Sequence, residues 1–221
     1  MKKVIYIEAS PRKERSHSIK EAQSYLSKLE ASNPSLEIKK IDLWDYVLPE
    51  FDGEMLNAKY AVMAGESPTG DQIAAWDQVK VLFEEFADAD HYVFAIPMWN
   101  FTIPYKMKHY IDVISQPGLA WEHSEENGYS GLMGGRTAKV FFATGDSYSK
   151  GTGFEAFDMQ KPYIELWLNF IGFDYLLKLR FANMEAYREV LGMIVELPAV
   201  SQTHTYVVTE NVKADKGVPI F

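Results

Sequence analysis

What most constrains this chain is the way two periodicities alternate along it. Short runs dense in β-branched and aromatic residues occur at 4–7 (VIYI), 36–43 (LEIKKIDL), 91–96 (HYVFAI), 138–143 (AKVFFA) and 175–181 (YLLKLRF). Between them lie segments whose apolar residues recur at helical spacing. The first is predicted from Ile19 onward, with Ser18 as its N-cap, Glu21 completing a capping box, and Ala22, Tyr25, Leu26 and Leu29 on one face. Further helices are predicted over 55–63, 71–87, 106–114, 155–170 (closed by Gly172) and 184–197. Unbroken apolar strands are buried on both sides, and parallel neighbours need crossovers long enough to hold a helix. Five strand–helix repeats therefore predict an α/β fold in which a parallel sheet is covered on both faces.

Composition removes several classes of function. The formal charge of −9 over 221 residues argues against a nucleic-acid or anionic-membrane partner, because phosphate-rich surfaces repel it. With no cysteine, the chain has no thiolate nucleophile, disulfide or cysteine-ligated metal, and a reducing, cytoplasmic setting is the natural expectation. The apolar run near Met1 is four residues long, too short for a signal-peptide core, and no stretch nears the ~20 apolar residues that span a bilayer. The five histidines, at 17, 91, 109, 123 and 204, show no metal spacing, so no metal is expected, and His91 and His109 are read as structural. The glutamate pairs at 84–85 and 125–126 read as solvated surface. One domain is expected over 1–197. The segment 198–221 falls outside the rhythm and is read as a tail that packs on the domain, embraces a partner subunit or frays.

In an open α/β sheet, ligands bind beyond the carboxyl ends of the strands, so the first and third strand–helix loops are where chemistry is expected. The first reads Ser10-Pro11-Arg12-Lys13-Glu14-Arg15-Ser16-His17-Ser18. Three hydroxyls just ahead of a helix N-terminus suit a phosphate. Two readings fit these residues alone: a phosphate cradle steered by Arg12, Lys13 and Arg15, or simple capping serines beside solvated cations. Neither G-x-G-x-x-G nor G-K-[ST] is present, which argues against a dinucleotide or P-loop site. The third loop, Pro97-Met98-Trp99-Asn100-Phe101, is unusually aromatic, and an exposed Trp–Phe pair calls for a flat partner. A phosphate at strand one and a ring system at strand three describe flavin mononucleotide (FMN).

These motifs resemble those of the flavodoxin-like NAD(P)H:quinone oxidoreductases and FMN-dependent NADH azoreductases. Residues 97–101 are similar to the family's P-M-[YW]-N-F, and Ser10 with Ser16-His17-Ser18 to its S-x(5)-S-x-S. Lys106-Met107-Lys108 with Tyr110-Ile111-Asp112, the hairpin at 118–132, and Pro162-Tyr163 with Phe170-Ile171-Gly172 extend the likeness over residues 1–197. The resemblance implies a three-layer sandwich with a five-stranded parallel sheet in the order 2-1-3-4-5. It implies that Ser10, Ser16, Ser18 and the amide of His17 hold the FMN phosphate, and that Pro97, Met98, Trp99, Asn100 and Phe101 line the ribityl chain and ring. It also implies ping-pong two-electron hydride transfer, in which NADH or NADPH reduces the flavin and then yields its slot to a quinone or azo compound. No protein nucleophile is needed, since the flavin carries the hydride. A flavodoxin-type electron carrier without its own NAD(P)H activity is the alternative.

The loop after the fourth strand departs from the family's S-x-G-G. It reads Ala143-Thr144-Gly145-Asp146-Ser147-Tyr148, keeping Gly145 and Tyr148 as flavin contacts and placing Asp146 where a glycine is usual. A carboxylate facing the ring would make the flavin harder to reduce, whereas one turned to solvent or capping its own turn would not. The family's active site spans a homodimer interface, which makes Trp121, His123 and Trp167 candidates for the substrate wall; both tryptophans equally suit a core. The irregular segment 48–70, with Phe51 and Tyr60, is a further candidate wall.

Overall fold

The computed structural model describes residues 2–67, 70–148 and 151–173, all within one compact unit. Among the described residues, four strands form a parallel sheet: β1 (Lys3–Glu8), β2 (Glu37–Asp42), β3 (His91–Pro97) and β6 (Thr137–Ala143), in the order β2-β1-β3-β6. A separate antiparallel hairpin pairs β4 (Trp121–Ser124) with β5 (Gly128–Gly131). The helices are α1 (His17–Ser32), α2 (Gly53–Met63), α3 (Asp71–Ala87), α4 (Tyr105–Ile114) and α5 (Gln160–Phe170). The fifth strand expected at 175–181, the helix at 184–197 and the tail lie outside the described residues.

The core explains the unbroken apolar strands. On β1, Ile5 and Ile7 face a large cluster that includes Phe83 and Phe86 of α3, Met107 and Tyr110 of α4, and Ile164 and Trp167 of α5. The alternate residues Val4 and Tyr6 face Ile19, Ala22 and Leu26 of α1. Because both faces are covered, both sets of side chains are buried and no polar alternation survives in the sequence.

Three local expectations are corrected. Helix α1 begins at His17, two residues earlier than Ile19: its N-cap is Ser16, whose carbonyl accepts from Lys20 N at 3.1 Å, so Glu21 lies too deep in the helix for a capping box. Helix α5 starts at Gln160 rather than 155, because Asp158 Oδ1 accepts the amides of Gln160 and Lys161, each at 3.0 Å, while Glu155–Phe157 makes only a 3-10 turn. Glu85 is not solvated: it accepts from the Tyr46 hydroxyl at 2.5 Å and pairs with Lys39 Nζ at 3.0 Å.

Where the sequence predicts a glycine stop, the structure has one. Gly172 (φ +97°) donates to Asn169 O and Phe173 N donates to Leu168 O, both at 3.0 Å, a Schellman closure of α5. The same glycine meets the hairpin backbone to backbone. A Cβ on Gly131 would stand 2.2 Å from Gly172 N, and Met133 N donates to Ile171 O at 2.8 Å alongside.

Candidate functional site at the carboxyl edge of the sheet

The strand order sets β1, β3 and β6 side by side, so the loops that leave their carboxyl ends converge. Ala9 N donates to Ala95 O at 3.0 Å, and Met98 N donates to Ala143 O at 2.7 Å, tying the first loop to the third and the third to the fourth. From β1 the chain crosses to β2 on one side, and from β3 to β6 on the other, which makes this the topological switch point.

The first loop has the donors an anion needs. Ser10, Ser16 and Ser18 are 1%, 3% and 1% exposed, and such burial without full backbone pairing is unusual for hydroxyls. Ser16 makes no side-chain cap to its helix; its Oγ instead lies 3.1 Å from Ser18 Oγ, and Ser10 Oγ has only a long 3.4 Å contact from Arg12 N. With one O–H spent between Ser16 and Ser18, these three hydroxyls beside a helix N-terminus still keep donors to spare, which fits the phosphate of FMN. His17, the first residue of α1, is exposed, as are Arg12 and Arg15. Lys13 is not a free steering charge: its Nζ lies 2.5 Å from Asp42 Oδ2 and 2.8 Å from Asp45 Oδ2, beyond the end of β2. Directly before the loop, Glu8 is 1% exposed and pairs with Lys40 Nζ at 2.9 Å. Burial, with this carboxylate nearby, pushes the Tyr6 hydroxyl pKa well above its usual value.

The third loop is a strained two-residue turn. Trp99 N donates to Thr102 O at 2.8 Å and Thr102 N to Trp99 O at 3.0 Å, which forces Asn100 (φ +47°) and Phe101 (φ +71°) into the left-handed region. Asn tolerates that region and Phe does not, so the turn stores on the order of 1–3 kcal/mol that the flanking pair must hold. Phe101 points outward, 52% exposed, with its ring 5.7 Å from that of Phe157. Trp99 turns the other way, toward Trp44 (5.7 Å between ring centres) and Tyr105 (6.2 Å), and Trp44 Nε1 donates to Ala9 O at 3.1 Å. Beside this loop opens a cavity of about 720 Å³ whose lining includes Phe51, Trp99, Asn100, Tyr105, His109 and Tyr163. That volume is in the range of small-molecule sites, and four of its eleven lining residues, Phe51, Trp99, Tyr105 and Tyr163, are aromatic. His109 is fixed there by a 2.8 Å contact between Nε2 and Pro49 O; of the irregular segment, Phe51 lines this cavity, whereas Tyr60 is exposed and does not.

In the fourth loop, Thr144, Gly145 and Asp146 are exposed and Tyr148 is half-buried. Asp146 Oδ1 accepts the amide of Ser147 at 2.7 Å, and its carbonyl accepts from Thr144 Oγ1 at 2.7 Å, so the carboxylate caps its own turn.

The structure gathers residues 10–18, 97–101 and 144–148 at one edge, but in this chain it gives Trp121 and Trp167 to the core. They are 9% and 5% exposed, and their indole N–H groups donate to Ser115 O at 3.1 Å and Ser115 Oγ at 2.8 Å. His123 is exposed on the hairpin, edge-on to Tyr129 at 4.7 Å. His91 has the structural place expected of it, 5% exposed between the Tyr25 hydroxyl at 3.2 Å and Thr137 Oγ1 at 2.8 Å, and burial lowers its pKa to about 4. Sequence reasoning missed Trp44, Tyr105 and the pairing of Lys13. Trp44 was findable, since it follows the second strand and so belongs to the same carboxyl edge. Among the described residues, no group of His, Asp and Glu could hold a metal ion, and no helix is long and apolar enough to cross a membrane.

Comparison with known proteins agrees with this geometry. The sequence profile described as "Flavodoxin-like fold" matches residues 2–191. A shorter match, to the "Lrp/AsnC ligand binding domain", covers residues 172–218, less than half the chain and almost wholly outside the described residues. The FMN-dependent NADH:quinone oxidoreductase of Desulfotalea psychrophila is 47% identical over 91% of this chain and 96% of its own length. Among solved structures, an azoreductase from Bacillus anthracis str. Sterne superposes with a TM-score of 0.71 at 27% identity, covering 79% of this chain and 83% of its own. An FMN-dependent NADH-azoreductase from Bacillus anthracis str. Ames Ancestor, solved in complex with FMN, gives 0.69 at 28% identity, covering 79% and 84%. The chain belongs to the flavodoxin-like fold family, alongside the FMN-dependent NADH:quinone oxidoreductases.

Proposed function

We propose that this protein binds FMN across the carboxyl edge of the sheet and uses NADH to reduce quinones, and azo compounds with them. The observation that carries the reading is the set of three buried seryl hydroxyls, Ser10, Ser16 and Ser18, with spare donors at the switch point beside an aromatic loop. In this reading the three hydroxyls and the His17 amide hold the phosphate. Pro97, Met98, Trp99, Asn100 and Phe101 hold the ribityl chain and ring, and Gly145, Asp146 and Tyr148 border its pyrimidine end. Bound FMN supplies a two-electron carrier at N5. The protein's own work is to orient the ring, keep water from it and offer one flat, aromatic-walled slot that donor and acceptor occupy in turn, which makes the kinetics ping-pong.

A homodimer is part of the proposal. Phe101, Phe154, Phe157 and Met159 are 48–57% exposed near the loop edge, and a second copy covering them would close the slot. His123 would then be the exposed member of the substrate wall, resting edge-on against Tyr129. A fifth strand at 175–181 beyond β6, giving the order 2-1-3-4-5, a domain over 1–197 with a tail at 198–221, and a cytoplasmic setting complete it, supported by the sequence pattern and the absence of cysteine.

The visible spectrum tests the reading. Purified protein should be yellow, bleach when NADH is added without air, and recover its colour on addition of a quinone. Colour that NADH leaves untouched would instead identify an electron carrier that needs a separate reductase. A colourless protein that ignores added FMN would refute both.

A further inference from the structure

The cations of the first loop do not all play one part. Lys13 sits in that loop with φ +49°, a left-handed conformation that a lysine adopts at a cost. Its ammonium leaves the loop and reaches the turn that ends β2, where Asp42, with a side chain only 12% exposed, and Asp45 both receive it. That turn is itself built: Asp45 N donates to Asp42 O at 3.0 Å, and Trp44 N to Asp42 Oδ1 at 3.1 Å. It also holds the other end of the loop, since Trp44 Nε1 donates to Ala9 O at 3.1 Å, directly ahead of Ser10.

We propose that Lys13 is a positioning residue, a latch to Asp42 and Asp45 that pre-forms the cradle of Ser10, Ser16 and Ser18, and that it is not a ligand of the phosphate. The proposal rests on the reading that this loop binds a flavin phosphate. Its lysine charge is already neutralised by two carboxylates, so little of it remains for a third anion. What the latch contributes is order: an untied loop must be arranged at the moment of binding, and that cost is subtracted from affinity. An exposed ion pair holds weakly, but Asp42 is largely buried and Asp45 adds a second contact, so the expected effect is about tenfold, or about 1.4 kcal/mol, rather than loss of binding.

Charge removal separates a latch from a ligand by sign. Asp45→Asn, whose parent side chain is 76% exposed, and the double variant Asp42→Asn/Asp45→Asn both remove negative charge near the phosphate. If Lys13 were a ligand held back by these carboxylates, both variants would bind FMN more tightly. If it is a latch, both bind more weakly.

Full-length protein freed of flavin is titrated with FMN and with riboflavin, which lacks the phosphate, following quenching of flavin fluorescence. The latch predicts that Lys13→Met weakens FMN binding about tenfold and Asp45→Asn about threefold, with riboflavin affinity unchanged in both. Unchanged or tighter FMN binding by Lys13→Met or Asp45→Asn overturns the latch. Equal affinity of the parent protein for FMN and riboflavin overturns the phosphate reading of the loop beneath it. Should the double variant fail to fold, Asp45→Asn alone carries the test of sign.

Discussion

The contact between Gly131 and Gly172 gives the most direct test of how the hairpin is seated. A methyl group at 131 would lie 2.2 Å from Gly172 N, 2.3 Å from Ile171 C and 2.5 Å from Gly172 Cα. These are backbone atoms at the closed end of α5, so no rotamer change can yield the space. Ordinary van der Waals contact begins near 3.4 Å, and the hairpin must therefore lift by about 1 Å. Lifting it stretches the 2.8 Å bond from Met133 N to Ile171 O and loosens Trp121 against Phe170, whose rings lie 5.6 Å apart. Overpacking typically costs 1–3 kcal/mol and a weakened hydrogen bond about 1 more, so Gly131→Ala should destabilise by about 3 kcal/mol. For a chain of this size that lowers the melting temperature by roughly 6–12 °C. Calorimetry or urea unfolding followed by tryptophan fluorescence measures it. Gly53→Ala is the control: a Cβ there meets nothing within 4 Å, and the site is the first residue of α2, where alanine favours the helix. A Gly131→Ala midpoint equal to that of the parent protein would refute the backbone-to-backbone seating.

Other consequences are equally open to measurement. His91 has a folded pKa of about 4 against 6.5 in the unfolded chain, so the unfolded state takes up a proton first and stability falls as the pH drops from 6.5 toward 4. The loss should approach about 3 kcal/mol in urea titrations at stepped pH, and His91→Gln should flatten that slope. Trp167→Phe leaves Ser115 Oγ without its 2.8 Å donor and thins the core, which should cost about 2 kcal/mol in the same assay. Asp146→Gly removes a negative charge near the proposed pyrimidine end and should raise the flavin midpoint potential by about 20 mV in a redox titration. An unchanged potential would mean that the carboxylate, held by Ser147 N, serves its turn alone.

What the sequence made legible follows from how local each signal is. The bounds of α3, 71–87, can be read directly because Trp76, Val79, Phe83 and Phe86 repeat at helical spacing and all are buried. The start of α5 was misjudged because one carboxylate, Asp158, decides it, and several residues nearby have the composition of a cap. The two motif loops stood out since hydroxyls and aromatics are rare in such density. Their support did not: Lys13 to Asp42 and Trp44 to Ala9 join residues 29 and 35 positions apart, and only the strand order brings them together. Trp121 and Trp167 show the same limit from the other side. An indole on a hairpin or a helix has the same sequence signature whether it faces a ligand or a serine in the core, and here Ser115 takes both N–H groups.

The outward turn at Asn100 and Phe101 also makes this protein convenient to instrument. The pair of hydrogen bonds between Trp99 and Thr102 fixes the backbone whatever the side chain at 101, and that residue stands at the rim, 52% exposed. Because the chain has no native thiol, Phe101→Cys would carry its sole sulfhydryl. A maleimide dye or nitroxide attached there would label every molecule at one known point, and pulsed distance measurements would test the proposed homodimer by whether two labels fall within range of each other.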